Sequence, residues 1–193
     1  MFKLKLATDP RWVDIAEQNV QEILTDHAYC EQKAASAAIS IIVQFPEHTE
    51  LVEAMAELAK EEMDHFQMVL GHLKQRNWKL GREQKDNYVR DLQGFFEGAN
   101  RKRHLVNRLL LAAMIEARSC ERFRVLSENI KDSELASFYK KLMKSEANHY
   151  SMFLQFAKKF GEPEIDVDKI WKEFLSFEAE VISRYGSKEM MHG

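Results

Sequence analysis

Apolar residues recur every three or four positions along most of this chain, the repeat of α-helices that bury one face. Asp9-Pro10 reads as an N-cap and first helical residue, opening a short amphipathic helix through Trp12, Val13, Ile15 and Ala16. A long helix is predicted from about Val20 to Val43, its small and apolar face formed by Leu24, Ala28, Ala34, Ala35, Ala38, Ile39 and Ile42. Pro46 breaks it, and Thr49 is the expected cap of the next helix, from about Glu50 to Gln75. The inner face of that helix reads Met55, Leu58, Glu62, His65, Val69 and Leu73. Residues 77–102 hold Gly81, Gly94, Gly98, Asn77, Asn87 and Asn100, which predicts an irregular connection with a short helix near Asp86–Phe96. A third long helix is expected from about Arg103 to Ser127. Asp132 caps a fourth, which runs to Phe160 and stops at Gly161 with Pro163 beyond it. A last helix, about Asp166 to Tyr185, carries Ile170, Trp171, Phe174, Leu175, Val181 and Ile182, and the tail from Gly186 is expected to fray. Two helix hairpins joined by a long connection, with flanking helices, make an all-α four-helix bundle, read as one domain over residues 1–193.

Composition narrows this reading without changing it. Only 7 Gly and 3 Pro leave few turns, which excludes a sandwich or barrel of many short strands. Two cysteines, Cys30 and Cys120, are too few for a secreted disulfide scaffold or a four-Cys metal site. No apolar run reaches the length of a membrane span, and the first residues lack the pattern of a signal peptide. The expectation is a soluble cytoplasmic protein.

Charged residues break the apolar faces at four places. Glu31 lies between Ala28 and Ala34, and Glu116 lies among Leu109, Ala112, Ala113 and Cys120. Glu62 and His65 stand three residues apart on the second long helix, and Glu146 and His149 do the same on the fourth, so each pair shares one face. Glu31 and Glu62 are 31 residues apart and Glu116 and Glu146 are 30 apart, with midpoints at the two predicted turns. In an antiparallel hairpin, residues equidistant from the turn lie level, so each hairpin sets one Glu opposite one Glu-x-x-His. Four buried carboxylates would largely protonate unless cations neutralised them. Carboxylate oxygens and imidazole nitrogens suit two iron or manganese ions. One Glu from each of two helices and Glu-x-x-His from each of the other two is the donor set of ferritin-like di-metal carboxylate proteins.

With 22 Glu and 7 His, chance alone gives about one Glu-x-x-His, and three occur. The third, Glu189 with His192, lies in the tail and is assigned to chance. Around the donors, Glu61 and His27 are candidates to orient a ligand, and Cys120, one turn after Glu116, is expected to line the metal pocket. A solvated Glu61 and an ordinary packed His27 are the plainer readings of the same residues.

At these residues the chain resembles the tRNA 2-methylthio-N6-isopentenyladenosine hydroxylases. The resemblance rests on Asp26 to Ser36, Glu61 to Phe66, Glu116 to Phe123 and Ser145 to Tyr150, and covers nearly the whole chain. It implies a di-iron monooxygenase that uses O2 to hydroxylate the isopentenyl side chain of a hypermodified adenosine in tRNA. Under it, Glu31, Glu62, His65, Glu116, Glu146 and His149 bind the two irons and form the catalytic centre. The electrons come from an external donor through an electron-transfer partner, since the chain shows neither a Rossmann fingerprint nor a cysteine cluster.

Charge distribution bears on the RNA. The net charge is −3, yet residues 71–108 alone carry +6 and the remainder −9. Lys79, Arg82, Arg101, Lys102, Arg103 and Arg108 are the candidate phosphate contacts, and Trp78, Tyr88, Phe95 and Phe96 the candidates to stack on bases. The alternatives are a ferritin-like di-iron or di-manganese oxidase, peroxidase or oxygenase on a non-RNA substrate, an iron-storage protein, and a metal-free interaction module. The second Glu-x-x-His argues against storage, and the buried acids argue against a metal-free bundle.

Overall fold

The computed structural model describes residues 2–85, 87–96, 98, 100–185 and 191. It has seven helices and, among the described residues, no strand: α1 (Trp12–Gln18), α2 (Val20–Gln44), α3 (Thr49–Gln75), α4 (Tyr88–Gln93), α5 (Arg101–Asn129), α6 (Ser133–Gly161) and α7 (Val167–Ile182). The described residues divide into two compact units, one holding residues 18–85 and Met191, the other residues 2–17 and those between 87 and 185.

The first of these is the α2–α3 hairpin. Its turn contains Pro46, and the short link makes the helices antiparallel neighbours. The buried stripe of α2 runs Leu24, Ala28, Glu31, Ala35, Ala38 and Ile41. Ile39, expected on that face, is 53% exposed. It lies one residue, or about 100°, beyond Ala38, so the stripe passes to Ile41 and Phe45 instead. Nor is Thr49 a cap: it is the first residue of α3, behind His48, which makes no side-chain cap hydrogen bond. The connection is tied back by Tyr29 Oη, which donates to the Gly81 carbonyl at 3.0 Å. Met191 is fully buried and its N–H donates to Asp26 Oδ2 at 2.6 Å, so the tail is not frayed at that residue. Glu189 and His192 lie outside the described residues.

The second unit is built on the α5–α6 hairpin. Asp132 caps α6 as expected, its Oδ1 accepting from Glu134 N at 3.0 Å and Leu135 N at 3.1 Å. Asn100 caps α5 and moves its start two residues ahead of the expected Arg103. Asp166 caps α7 by accepting from Lys169 N at 3.0 Å. Gly161 ends α6 where a Cβ would stand 2.6 Å from Val167 Cγ2, so only glycine permits this approach. Helix α1 is fastened by Glu17, which accepts from Lys131 N and Lys131 Nζ at 2.7 Å each.

Buried charge in this unit was not foreseen. Arg118, fully buried on α5, donates to Glu178 Oε1 at 2.7 and 3.0 Å, to Glu121 Oε2 at 3.3 Å and to the Leu6 carbonyl at 3.0 Å. Tyr88 Oη donates to the same Glu178 oxygen at 2.9 Å, and Glu121 also accepts from the Thr8 amide at 3.1 Å and from its hydroxyl. Arg122 lies 4.1 Å above the ring of Trp12. These groups join the N-terminal segment, α1, α4, α5 and α7 around one side of the hairpin.

Candidate metal centre

Each hairpin assembles three donors. In the α2–α3 unit, Glu31, Glu62 and His65 bring ligand atoms within 4.8 Å of one another, all on buried faces. In the α5–α6 unit, Glu116, Glu146 and His149 do the same within the same limit. The periodicity explains the match. Glu and His three apart share one face of α3 and of α6, and the near-equal spacings about the two turns level the remaining Glu with each pair. His65 Nδ1 lies 3.3 Å from Glu62 Oε2, and His149 Nδ1 lies 3.4 Å from Glu146 Oε2.

Glu62 is fully buried and the other three carboxylates are at least nine-tenths buried. Stripping water from two like charges within one hairpin is costly. A divalent cation removes that cost, and oxygen and imidazole donors fit a first-row metal better than a soft one. The donor set is therefore suited to metal binding.

Three neighbours shape it. His27, fully buried one turn before Glu31, has Nε2 2.6 Å from Glu31 Oε1, a contact that fixes one oxygen of that carboxylate. Glu61 Oε1 stands 3.8 Å from His65 Nε2, with its side chain about half exposed. Cys120 is buried and donates from Sγ to the Met143 carbonyl at 3.1 Å. Burial, reinforced by the Glu146 and Glu121 carboxylates, pushes its thiol up to about 12. It stays protonated at neutral pH in the metal-free protein. Both cysteines are free.

The candidate RNA contacts are scattered. Lys79 and Arg82 are exposed in the α2–α3 unit, and Arg101 is exposed at the start of α5. Lys102 is held by Glu164 at 2.9 Å and donates to the Glu162 carbonyl at 2.9 Å. Arg108 is half-buried, and desolvation lowers its guanidinium pKa. Lys102 and Arg103 line a cavity of about 590 Å³ with Phe95 in its wall. Three of the proposed stacking rings are already engaged. Tyr88 is fully buried on Glu178, Phe96 packs on Phe174 with centroids 4.8 Å apart, and Phe95 packs on Phe174, Phe96 and Phe177 at 4.8, 5.1 and 5.4 Å.

Known proteins resemble this chain along its length. The family described as tRNA-(MS[2]IO[6]A)-hydroxylase (MiaE) matches residues 2–193. A Pseudomonas putida protein named tRNA 2-(methylsulfanyl)-N(6)-isopentenyladenosine(37) hydroxylase is 37% identical over 91% of this chain and 84% of its own length. A Salmonella typhimurium protein of the same name is 26% identical over 84% of this chain and 77% of its own. Among solved structures, a Synechococcus protein with aldehyde deformylating oxygenase activity is 30% identical with a TM-score of 0.90, covering 98% of this chain and 95% of that one. The all-α, ferritin-like fold class expected from the helical pattern is borne out. No helix among the described residues is long and apolar enough to cross a membrane.

Proposed function

Because the chain belongs to the tRNA-(MS[2]IO[6]A)-hydroxylase family, we propose that it hydroxylates the isopentenyl side chain of 2-methylthio-N6-isopentenyladenosine in tRNA, as a di-iron, O2-dependent monooxygenase acting in the cytoplasm. The observation that carries the reading is the repeated donor triad, Glu31, Glu62 and His65 in one hairpin and Glu116, Glu146 and His149 in the other. In this reading residues 1–193 act as one domain, and the six side chains hold two irons, each carboxylate trading the cost of burial for a metal bond. Iron held by these residues would supply the reduction of O2, one oxygen atom entering the product and the other leaving as water, with two electrons from an external donor and two protons from solvent.

The chain's own residues prepare that chemistry. His27 holds Glu31 Oε1 at 2.6 Å and would fix the orientation of that carboxylate when it binds a metal. The protonated Cys120 adds a small uncharged wall beside the α5–α6 triad.

The test is incubation of the iron-loaded protein with reductant, O2 and tRNA carrying the isopentenylated nucleoside, followed by nucleoside mass spectrometry. A mass gain of one oxygen atom is expected. Turnover of a long-chain aldehyde with no change in the nucleoside would instead move the chain toward the reaction named for the Synechococcus protein.

A further inference from the structure

The cavity at the start of α5 is separate from the metal donors. On α5, Arg103 precedes Glu116 by 13 residues, about 20 Å along the helix axis. Its volume of about 590 Å³ is that of a small-molecule site.

Its walls are of three kinds. Phe95, Ile165 and Ile170 supply an apolar side, and Phe95 is held there by Phe174, stacked at 4.8 Å and 25°, and by Phe96 and Phe177 at 5.1 and 5.4 Å. The first turn of α5 supplies a positive side. The N-terminus of a 29-residue helix carries partial positive charge, and Arg103 projects beside it with no ion pair or side-chain hydrogen bond among the described residues. Lys102 differs, since Glu164 already holds it at 2.9 Å. The third side is Glu173 of α7, an exposed carboxylate with no ion pair among the described residues, free to accept from a donor.

A bare phosphate does not use this arrangement, because Glu173 faces it, and a cation finds Arg103 there. A ligand with an anion at one end, a flat apolar ring in the middle and an amino group at the other satisfies all three walls. We propose that this cavity takes one nucleotide of the tRNA other than the adenosine that reacts. Its phosphate sits at Arg103 and the α5 N-terminus, its base lies against Phe95, and its exocyclic amine bonds Glu173. A stacked strand covers about 20 Å in about six nucleotides, so this nucleotide and the reacting one belong to the same stretch of RNA. The inference rests on the tRNA reading above.

A free nucleotide has the same chemistry, so the experiment has two arms. In the first, tRNA binding by fluorescence anisotropy is followed across salt concentrations for the wild type, Arg103→Glu and Phe95→Leu, and bound tRNA is photocrosslinked. The expected result is about tenfold weaker binding by Arg103→Glu, with a salt slope shallower by about one, and about fivefold weaker binding by Phe95→Leu. Crosslinks are expected on peptides containing Phe95 or Glu173. Unchanged affinity and slope in Arg103→Glu, or crosslinks that avoid these peptides, overturn the proposal. In the second arm AMP is titrated in place of tRNA. Millimolar binding that tRNA displaces supports the proposal, whereas micromolar binding that tRNA leaves untouched makes this a free-nucleotide site and overturns it. A wild type that hydroxylates tRNA while Arg103→Glu keeps the same KM defeats the cavity alone. A wild type that neither binds nor modifies tRNA defeats the functional reading as well.

Discussion

Glu62 shows how one side chain can be unfavourable for folding and necessary for function. It is fully buried, and its worth depends on a cation. Glu62→Ala and His149→Ala are expected to lower bound iron from about two per chain to below one, while leaving the metal-free protein at least as stable. Metal analysis with thermal melts of both forms checks this, and full occupancy in both variants would remove these residues as ligands. Arg118 is the opposite case, since its partners Glu178 and Glu121 are buried with it. Arg118→Met should cost about 3–5 kcal/mol in urea unfolding, because the buried Glu178 loses its cation and Glu121 keeps only Arg124 at 3.7 Å. The exposed pair of Lys158 with Asp168 should cost no more than about 0.5 kcal/mol when Lys158 becomes Ala. Cys120 supplies a pH test. Its folded thiol, raised to about 12, exceeds that of an unfolded cysteine, so the unfolded chain loses its proton first. The stabilisation is whole below about pH 8.5 and is lost as pH rises toward 12, a loss that Cys120→Ala should reduce in unfolding curves of the metal-free protein.

Helix ends separate what the pattern of residues announces from what neighbours decide. Asp132 was visible in advance because an acid just before an apolar run accepts from the first turn, and it does so. Thr49 offered the same kind of signal, yet α3 begins one residue earlier than a Thr49 cap allows. Asp132→Ala is expected to cost about 1 kcal/mol and Thr49→Ala less than about 0.5 kcal/mol, read from chemical denaturation. Gly161→Ala should cost about 1–3 kcal/mol, since the new methyl meets Val167. The six donors stood out in the sequence because each interrupts an apolar stripe at a spacing shared between hairpins. Arg118, Glu121 and Arg122 did not, because α5 is buried on nearly every side and has no polar face against which a charge looks misplaced. Glu178 was hidden for another reason: its partners, Arg118 and Tyr88, are 60 and 90 residues away, which periodicity does not reveal.

For the chain as a whole, a net charge of −3 conceals a basic stretch of +6 over residues 71–108. Changing Arg101, Lys102 and Arg103 together to Ala should weaken tRNA binding at low salt and flatten its salt slope by less than three, because Lys102 is already paired with Glu164. Equal affinity at low salt would rule these residues out as phosphate contacts. Which rings were free to stack was beyond the sequence, since long-range packing on α7 decides it. The matching hairpins have a consequence for ancestry. Each carries one Glu and one Glu-x-x-His at nearly the same spacing, so each is chemically a half. A gene of half this length, whose product paired with its own copy, would have possessed the full set of six donors.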